Sequence, residues 1–276
     1  MGTHLSIDEV ALSQGELYTI VTNKKFKGKK GSLVAIVAGT KADKVIEHIR
    51  KIDYKKRSCV KEITLDMANS MKLISKRCFP KATQVTDRFH VQKLALEALQ
   101  EIRIKHRWEA MDFENQLILQ AKRENQTYIQ ELLANGDSVK QLLARSRYVL
   151  YKSREKWTEN QNERAQLLFG LYPDIKTAYY LSQQLRGIYN NNNDKHIAMT
   201  KLAHWYRNVE ESGFKNFNIL LNTITFNYRS ILNYFDNRST NASAESFNAK
   251  IKAFRSQFRG VRKIDFFLFR LSNLFA

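Results

Sequence analysis

Residues 5–86 alternate between strand-type and helix-type patterns in a fixed order, and this order restricts the fold more than any other feature of the chain. Runs rich in β-branched residues predict three strands, Leu5–Leu12, Leu17–Asn23 and Ser32–Gly39. A basic, glycine-containing turn, Lys24–Gly31, separates the second strand from the third. Lys41–Ile52 then carries valine and isoleucine at helical spacing, which predicts a helix after the third strand.

The pattern continues with a strand, a helix and a last strand. The fourth strand runs to Asp66, the helix covers Met67–Cys78 and stops at Phe79-Pro80, and the fifth strand is Ala82–Thr86. The resulting order, β-β-β-α-β-α-β, is that of an α/β ribonuclease-H-like core. We therefore expect a mixed sheet with strand order 3-2-1-4-5, in which the first and fourth strands are parallel neighbours.

The character of the chain changes after the fifth strand. From residue 91 to residue 234, apolar residues recur at helical spacing with basic residues between them. Only two prolines, Pro80 and Pro173, occur in the whole sequence, and scarce proline favours long helices. We predict a core made of residues 1–95 and 236–276, interrupted by an all-helical insertion, residues 96–235, before the last core helix.

The charge balance indicates a polyanionic partner. The 276 residues carry a formal net charge of +19 and a pI of about 9.8, and 43% of them are hydrophobic, which is enough for a substantial core. No apolar run reaches the roughly 18 residues of a membrane helix, so we expect no membrane partner and a cytoplasmic location. Cys59 and Cys78 lack the spacing of a zinc site, which fits a reducing compartment.

Three acidic residues stand where an isolated carboxylate is hard to explain. Asp8 and Asp66 are predicted at the carboxyl ends of the neighbouring first and fourth strands, and Glu245 lies in a late helix. Each alone has a structural explanation, as a strand-edge residue, a helix N-cap and part of a capping box respectively. Together they are the hard oxygen ligands that Mg²⁺ prefers, and with the positive charge they predict metal-dependent phosphodiester chemistry on nucleic acid.

The motifs around these carboxylates resemble the catalytic region of DDE-type bacterial insertion-sequence transposases, most closely the ISL3 group. The resemblance extends over nearly the whole chain, and its most specific parts are the Asp-Arg-Phe-His and Ala-Glu-x-x-Asn-x-Lys segments. The segments that carry it are, in order, Ile7-Asp8-Glu9, Leu65-Asp66-Met67, Cys78-Phe79-Pro80-Lys81-Ala82, Thr86-Asp87-Arg88-Phe89-His90-Val91, residues 241–252 (Asn-Ala-Ser-Ala-Glu-Ser-Phe-Asn-Ala-Lys-Ile-Lys) and residues 258–263 (Phe-Arg-Gly-Val-Arg-Lys).

The resemblance implies a catalytic triad and a metal. Asp8, Asp66 and Glu245 match the triad, which would hold Mg²⁺ or Mn²⁺, most simply as two ions, and would cleave DNA at the ends of an insertion sequence and transfer the strand to a target. Asp87 and His90 are then expected to lie beside the site. Whether Asp87 is itself a ligand, and whether His90 binds Asp87 or a DNA phosphate or only begins a helix, stays open.

The resemblance also implies partners. DNA of the insertion-sequence ends and of the target would be bound in part by five basic residues, Lys250, Lys252, Arg255, Arg259 and Lys263. The structural alternative is that they lie on solvent-exposed helix faces, which is the more common position of basic residues on helices. Pairing two DNA ends implies a homodimer or a higher synaptic assembly, in a bacterial cytoplasm beside the nucleoid. Family members commonly carry a DNA-binding region before the first aspartate, whereas seven residues precede Asp8 here. We therefore expect end recognition to come from a separate polypeptide or from a region trimmed from this sequence.

Two other functions are compatible with the residues. A metal-dependent nuclease or junction resolvase on the same core would cut DNA without joining it, although a long insertion is more typical of a synaptic assembly. A non-catalytic, basic DNA-binding remnant of a transposase would not need its carboxylates, whereas all three candidate ligands are present here.

Overall fold

The computed structural model describes residues 1–12, 15–258 and 263–276. These residues form two compact units. The first consists of residues 1–90, 193–195 and 224–276, and the second of residues 91–192 and 196–223. The ends of the units differ from the domain boundaries expected at 95/96 and 235/236, and those boundaries stay a prediction.

The first unit contains a five-stranded mixed sheet. Its strands are β1 His4–Ala11, β2 Leu17–Asn23, β3 Leu33–Ala38, β4 Glu62–Leu65 and β5 Thr83–Thr86. They are ordered β3-β2-β1-β4-β5, with β2 antiparallel to β1 and β3, and β4 parallel to β1 and β5. The predicted α/β fold and the predicted strand order are therefore confirmed.

The helices of the first unit include those predicted after the third and fourth strands and one short helix, Tyr54–Ser58, that was not predicted, and helices dominate the second unit. In chain order they are α1 Ala42–Arg50, α2 Tyr54–Ser58, α3 Asn69–Cys78, α4 Arg88–Arg123, α5 Val139–Arg145, α6 Arg147–Tyr151, α7 Glu159–Leu171, α8 Pro173–Asn191, α9 Lys195–Ser212, α10 Asn218–Leu232, α11 Tyr234–Asn237, α12 Ala242–Gln257 and α13 Ile264–Phe275.

Helices cover both faces of the sheet in the first unit. On one face, Leu5 and Ile7 of β1 pack in a core with residues of α1 and α3. On the other face, Val10 of β1 packs in a second core with Phe247 and Ile251 of α12 and with residues of α13. Because successive strand residues point to opposite faces, Asp8 shares its face with Val10 and lies on the side of α12.

The first strand continues past Asp8, which was expected at its carboxyl end, and ends at Ala11, one residue before the predicted Leu12. Asp8 is the fifth of the eight residues of β1, because β1 continues to pair with β2 as far as Ala11. The pairing of β1 with β4 is shorter, from His4 opposite Glu62 to Ser6 opposite Thr64. Asp8 therefore follows the end of the β1–β4 ladder and does not end the strand itself, which corrects the sequence-based prediction.

The second unit consists of helices and loops and has a core of its own. Its buried side chains include Leu142, Leu168, Ile175 and Trp205, from four different helices. No helix among the residues that the structure describes is both long enough and apolar enough to span a membrane.

Candidate active site

Asp8 stands at the centre of a group of polar residues on the α12 side of the sheet. The side chain is half-buried, and both of its oxygens accept hydrogen bonds. Oδ1 accepts from the backbone N–H of Glu9 at 2.8 Å, and Oδ2 accepts from Nδ2 of Asn248 at 2.7 Å. The Asn248 bond joins the strand to α12 across 240 positions of sequence. The orientation of the Asp8 carboxylate is thus fixed from two directions.

Asp66 lies at the edge of the sheet beside Asp8. The β1–β4 register pairs Ser6 with Thr64, an offset of 58 residues, and the same offset carried two residues further sets Asp66 opposite Asp8. Oδ1 of Asp66 accepts the backbone N–H of Ala68 at 2.9 Å, which fixes the turn into α3. The N-cap of α3 is Ala68, so Asp66 is not the N-cap that its structural explanation required, and its carboxylate supports the turn before the helix instead.

Glu245 lies in the first turn of α12, with an exposed side chain. Its backbone N–H donates to the carbonyl of Asn241 at 2.9 Å, so the helix is formed at this residue. Asn248 follows by three positions, a spacing that puts two side chains on neighbouring parts of one helix face. Since Asn248 binds Asp8, this face of α12 is the one that presents Glu245 near the sheet edge.

The three carboxylates influence one another electrostatically. Burial raises the pKa of Asp8, and the charges of Asp66 and Glu245 raise it further, against the opposing effects of the Glu9 N–H and of His90. The pKa of Glu9 is also raised, first by burial and then by Asp66 and Asp8. A raised carboxyl pKa means that the ionised form is disfavoured, here mainly because the groups are buried and secondly because like charges lie nearby.

A divalent cation would fit this donor set by its chemistry. Carboxylate oxygens from three separated segments are the ligands that Mg²⁺ and Mn²⁺ prefer, and a cation would relieve their mutual repulsion. Among residues 1–12, 15–258 and 263–276, however, no group of three or more His, Cys, Asp or Glu side chains is arranged so that it could hold a metal ion. Asp66 and Glu245 therefore act electrostatically on Asp8, but the three side chains are not arranged around a single metal position. Metal binding stays a prediction.

Asp87 is buried and is bound on both oxygens by backbone N–H groups. Oδ1 accepts from Phe89 at the beginning of α4 and Oδ2 accepts from Asn241 just before α12, both at 3.2 Å. The β4–β5 register pairs Leu65 with Thr86, and one step further it places Asp87 next to Asp66. The carboxylate thus ties the beginning of α12 to the end of β5, a role that holds Glu245 in place.

His90 is close enough to Asp8 for its charge to lower the pKa of that carboxyl. Its backbone N–H donates to the carbonyl of Asp87 at 3.2 Å, which belongs to the first turn of α4. Both residues that were expected beside the site therefore interact with its components, Asp87 through α12 and His90 through charge.

The basic residues predicted to bind DNA have different environments. Lys250 and Lys252 are exposed on α12, and Nζ of Lys250 also donates to the carbonyl of Gly28 at 3.3 Å. Lys263 is exposed immediately before α13. Arg259 lies outside the described residues.

Arg255 has a structural environment instead of the predicted phosphate contact. Its side chain is buried, its Nη2 lies 3.1 Å from Oε1 of Glu16, and its guanidinium stacks over the ring of Phe267 at 5.3 Å. The face of α12 that packs on the sheet includes Arg255 at its far end. The geometry therefore favours anchoring of the helix as the role of this residue.

Asn248 is a polar contact of the site that the sequence analysis named only as the asparagine of the Ala-Glu-x-x-Asn-x-Lys segment, without giving it a role. A signal was present, because Asn248 follows Glu245 by three positions within a segment already identified as important. That spacing does not reveal that the hydrogen-bond partner of Asn248 is Asp8 on β1.

The comparisons with known proteins identify the family of the chain. A family model of the ISL3 group of DDE transposases, described as transposase, matches residues 5–271 of the chain. No curated protein and no solved structure matches it significantly.

Proposed function

Because the chain belongs to the ISL3-type DDE transposase family, we propose that it cleaves DNA at the ends of an insertion sequence and transfers the freed strand to a target. Asp8, Asp66 and Glu245 are the catalytic carboxylates in this proposal. Membership of the family establishes a transposase in general, and the residues of the site support the specific chemistry proposed.

The observation that carries the proposal is that the fold brings carboxylates from three separate segments close enough for two of them to act on the third, after burial as the main cause of its raised pKa. Asp8, Asp66 and Glu245 come from β1, from the turn after β4 and from α12, and their charges raise the pKa of Asp8. Folding brings like charges together at a cost, and such clusters with perturbed pKa values occur mainly where chemistry needs them. A purely structural arrangement would pair each carboxylate with a cation instead.

The same residues would hold one or two Mg²⁺ or Mn²⁺ ions. When bound, such ions polarise the phosphate, activate the attacking oxygen and stabilise the leaving one. The chain's own contribution is to hold the ligands: the Glu9 N–H and Asn248 fix the Asp8 carboxylate, the Ala68 N–H fixes Asp66, and Asp87 fixes the beginning of the helix that carries Glu245.

The proposed substrate agrees with the charge of the chain. With a net charge of +19, the protein attracts a polyanion from a distance, and Lys250 and Lys252 lie on the same helix as Glu245. Each phosphate contact releases condensed counterions, so DNA affinity should decrease steeply as salt increases. We also propose that two copies act together, since strand transfer of an insertion sequence requires both of its ends, and that recognition of those ends requires a further DNA-binding polypeptide or region.

The test is strand transfer from a pre-cut duplex that carries the insertion-sequence end into a plasmid, with Mg²⁺ or Mn²⁺ present. The variants to compare with the native chain are Glu245→Gln, which removes a proposed ligand, and Glu9→Gln, which removes an exposed neighbouring carboxylate. We expect joining to disappear in Glu245→Gln and to persist in Glu9→Gln, with DNA binding retained in both.

Other outcomes would replace the proposal. Metal-dependent nicking that never leads to joining would identify a nuclease. DNA binding with neither activity, in the native chain and in Glu245→Gln alike, and also after a DNA-binding partner is supplied, would identify a non-catalytic remnant.

A further inference from the structure

Asn248 makes a direct side-chain contact with a proposed catalytic carboxylate. Its Nδ2 donates to Oδ2 of Asp8 at 2.7 Å, and the side chain is buried between α12 and the sheet. A carboxylate can only accept, so the amide nitrogen is the atom that must point at Asp8. The bond therefore has a defined direction, from α12 to β1.

The other polar atom of the Asn248 side chain, Oδ1, shows that placing an asparagine here costs free energy. Among the residues that the structure describes, Oδ1 of Asn248 is buried without a hydrogen-bond partner. A buried polar atom without a partner costs about 1–3 kcal/mol. An apolar residue at position 248 would avoid this cost. The hydrogen bond that Asn248 donates to Asp8 is the interaction that offsets it.

The amide is suited to this place because it is neutral. Asp8 already experiences burial and the charges of Asp66 and Glu245, all of which disfavour its ionised form. A lysine in place of Asn248 would neutralise the carboxylate and compete with a metal ion, whereas an aspartate would add another negative charge. An asparagine orients Asp8 by a hydrogen bond and leaves its charge available.

We propose that Asn248 is a positioning residue, which fixes the Asp8 carboxylate relative to Glu245 so that the two can act on the same divalent cation. The inference rests on the proposed function, because it assumes that Asp8 and Glu245 are metal ligands. Asn248 and Glu245 are three residues apart on α12, so one hydrogen bond sets the distance between a ligand on the helix and a ligand on the strand. Side chains that orient metal ligands in this way are typically worth about 10- to 100-fold in metal affinity or activity.

The chain offers a matched control for this bond. Asn237, just before the α12 segment, donates from Nδ2 to Oε2 of Glu62 at 3.0 Å. The chemistry is the same, an asparagine amide bound to a carboxylate in the first unit. Glu62, however, is buried and paired with Lys24 and is not a proposed ligand.

The experiment compares Asn248→Leu and Asn248→Asp with Asn237→Leu in the full chain. Leucine and aspartate have nearly the shape of asparagine, and neither can donate to Asp8. Calorimetric titration with Mn²⁺ in the absence of DNA measures the ion affinity directly, and initial rates of DNA cleavage and joining give kcat and KM. Circular dichroism at each step measures the folded fraction.

We expect Asn248→Leu to lower Mn²⁺ affinity and kcat by about 10- to 100-fold, while KM for DNA stays at the native value. Asn248→Asp should lose kcat to a similar extent, because the added carboxylate repels Asp8 instead of holding it. Asn237→Leu should leave Mn²⁺ affinity and kcat unchanged in the folded fraction, whatever it does to thermal stability.

Three results would overturn the inference. The first is native Mn²⁺ affinity and kcat in Asn248→Leu, the second is native kcat in Asn248→Asp, and the third is an equal loss of both quantities in Asn237→Leu. Failure of the proposed function looks different, since the native chain itself would then bind Mn²⁺ but neither cut nor join DNA. A native chain that binds no Mn²⁺ would remove the premise and the inference together.

Discussion

Two aspartates, one in each unit, show opposite ways of placing a carboxylate inside a protein. Asp137, in the helical second unit, is buried and forms ion pairs with Arg145 and Arg164, the latter at 3.1 Å. Nδ2 of Asn135 donates to the same carboxylate at 3.0 Å. Burial alone would raise the pKa of Asp137, but hydrogen bonds and charge from the two arginines outweigh it and the pKa lies below its usual value.

Asp8, in the first unit, is compensated only by the Glu9 N–H and by the charge of His90, which do not outweigh burial. Its pKa is raised by burial and by two further carboxylates, and no ion pair to Asp8 exists within residues 1–12, 15–258 and 263–276. Its hydrogen-bond donors are neutral, the Glu9 N–H and the Asn248 amide. The difference separates a carboxylate that stabilises the fold from one whose charge the fold leaves largely uncompensated, which a protein tolerates mainly at functional sites.

The largest expected effect is on activity. Asp8→Asn should reduce metal-dependent cleavage and joining by roughly 10³-fold or more, because metal-ion stabilisation of the transition state is worth several kcal/mol. Asp137→Asn should leave the activity of the folded fraction unchanged. Initial rates on a pre-cut duplex, normalised to the folded fraction, measure both.

The comparison fails if Asp8→Asn keeps more than about a tenth of the native rate, a loss of under about 1.4 kcal/mol. Retention of the rate by Asp66→Asn, the other sheet-edge variant, would place the active site elsewhere.

The second expected effect is on the free energy of unfolding. Here Asp137→Asn should have a larger effect than Asp8→Asn, the reverse of the order expected for activity. Asp137→Asn should lower the free energy of unfolding by about 3 kcal/mol, because removal of one partner of a buried ion pair leaves the other uncompensated. Arg145 is itself half-exposed, which favours the lower end of the usual range. Asp8→Asn should not lower the stability, since it removes a disfavoured charge. Urea unfolding in EDTA, followed by circular dichroism, measures the two differences.

The contrary result is a loss in Asp8→Asn that equals or exceeds the loss in Asp137→Asn. In that case the Asp8 hydrogen bonds would be the stabilising feature, and the raised pKa would have little energetic weight.

The sheet was predictable from the sequence because its strands are marked locally. Runs of β-branched residues defined β1 to β5, and the order of strands and helices was sufficient to predict 3-2-1-4-5. The point on β1 where its pairing with β4 ends was not predictable in the same way. The ladder with β4 ends at Ser6, two residues before Asp8, while the strand continues because β2 pairs with it to Ala11.

The site was predictable as far as its carboxylates and no further. The spacing of α12 places Asn248 near Glu245, but the Asp8 partner is 240 positions away and only the packing of α12 on the sheet brings it close. Arg255 shows the converse. It has the sequence context of a DNA-binding residue, yet the same packing buries it against Glu16, 239 positions away. Long-range pairs of this kind leave no local pattern to read.

A smaller effect concerns divalent cations and folding. At an ion concentration ten times its Kd, Mg²⁺ or Mn²⁺ should stabilise the native chain by about 1.4 kcal/mol, provided it binds only the folded form. The shift in thermal midpoint should persist in Asp137→Asn and disappear in Asp8→Asn and Glu245→Gln. Differential scanning calorimetry with and without the ion measures it. An equal shift in Asp8→Asn would show that the ion binds at another place.

The smallest effect is the dependence of stability on pH without metal, and its sign distinguishes the two aspartates. The folded-state pKa of Asp8 is raised, so the folded protein holds the proton more strongly and the stability of the native chain relative to Asp8→Asn decreases as pH rises above the ordinary carboxyl value of 3.8. The pKa of Asp137 is lowered, so its contribution is complete above that value and decreases as pH falls below it. Urea midpoints of the native chain and both variants, measured in EDTA from about pH 3 to pH 7 on either side of the carboxyl pKa, should therefore give differences of opposite slope. Two slopes of the same sign would mean that the Asp8 carboxylate is stabilised by the fold in the same way as Asp137, and that the contrast between the two regions is not electrostatic.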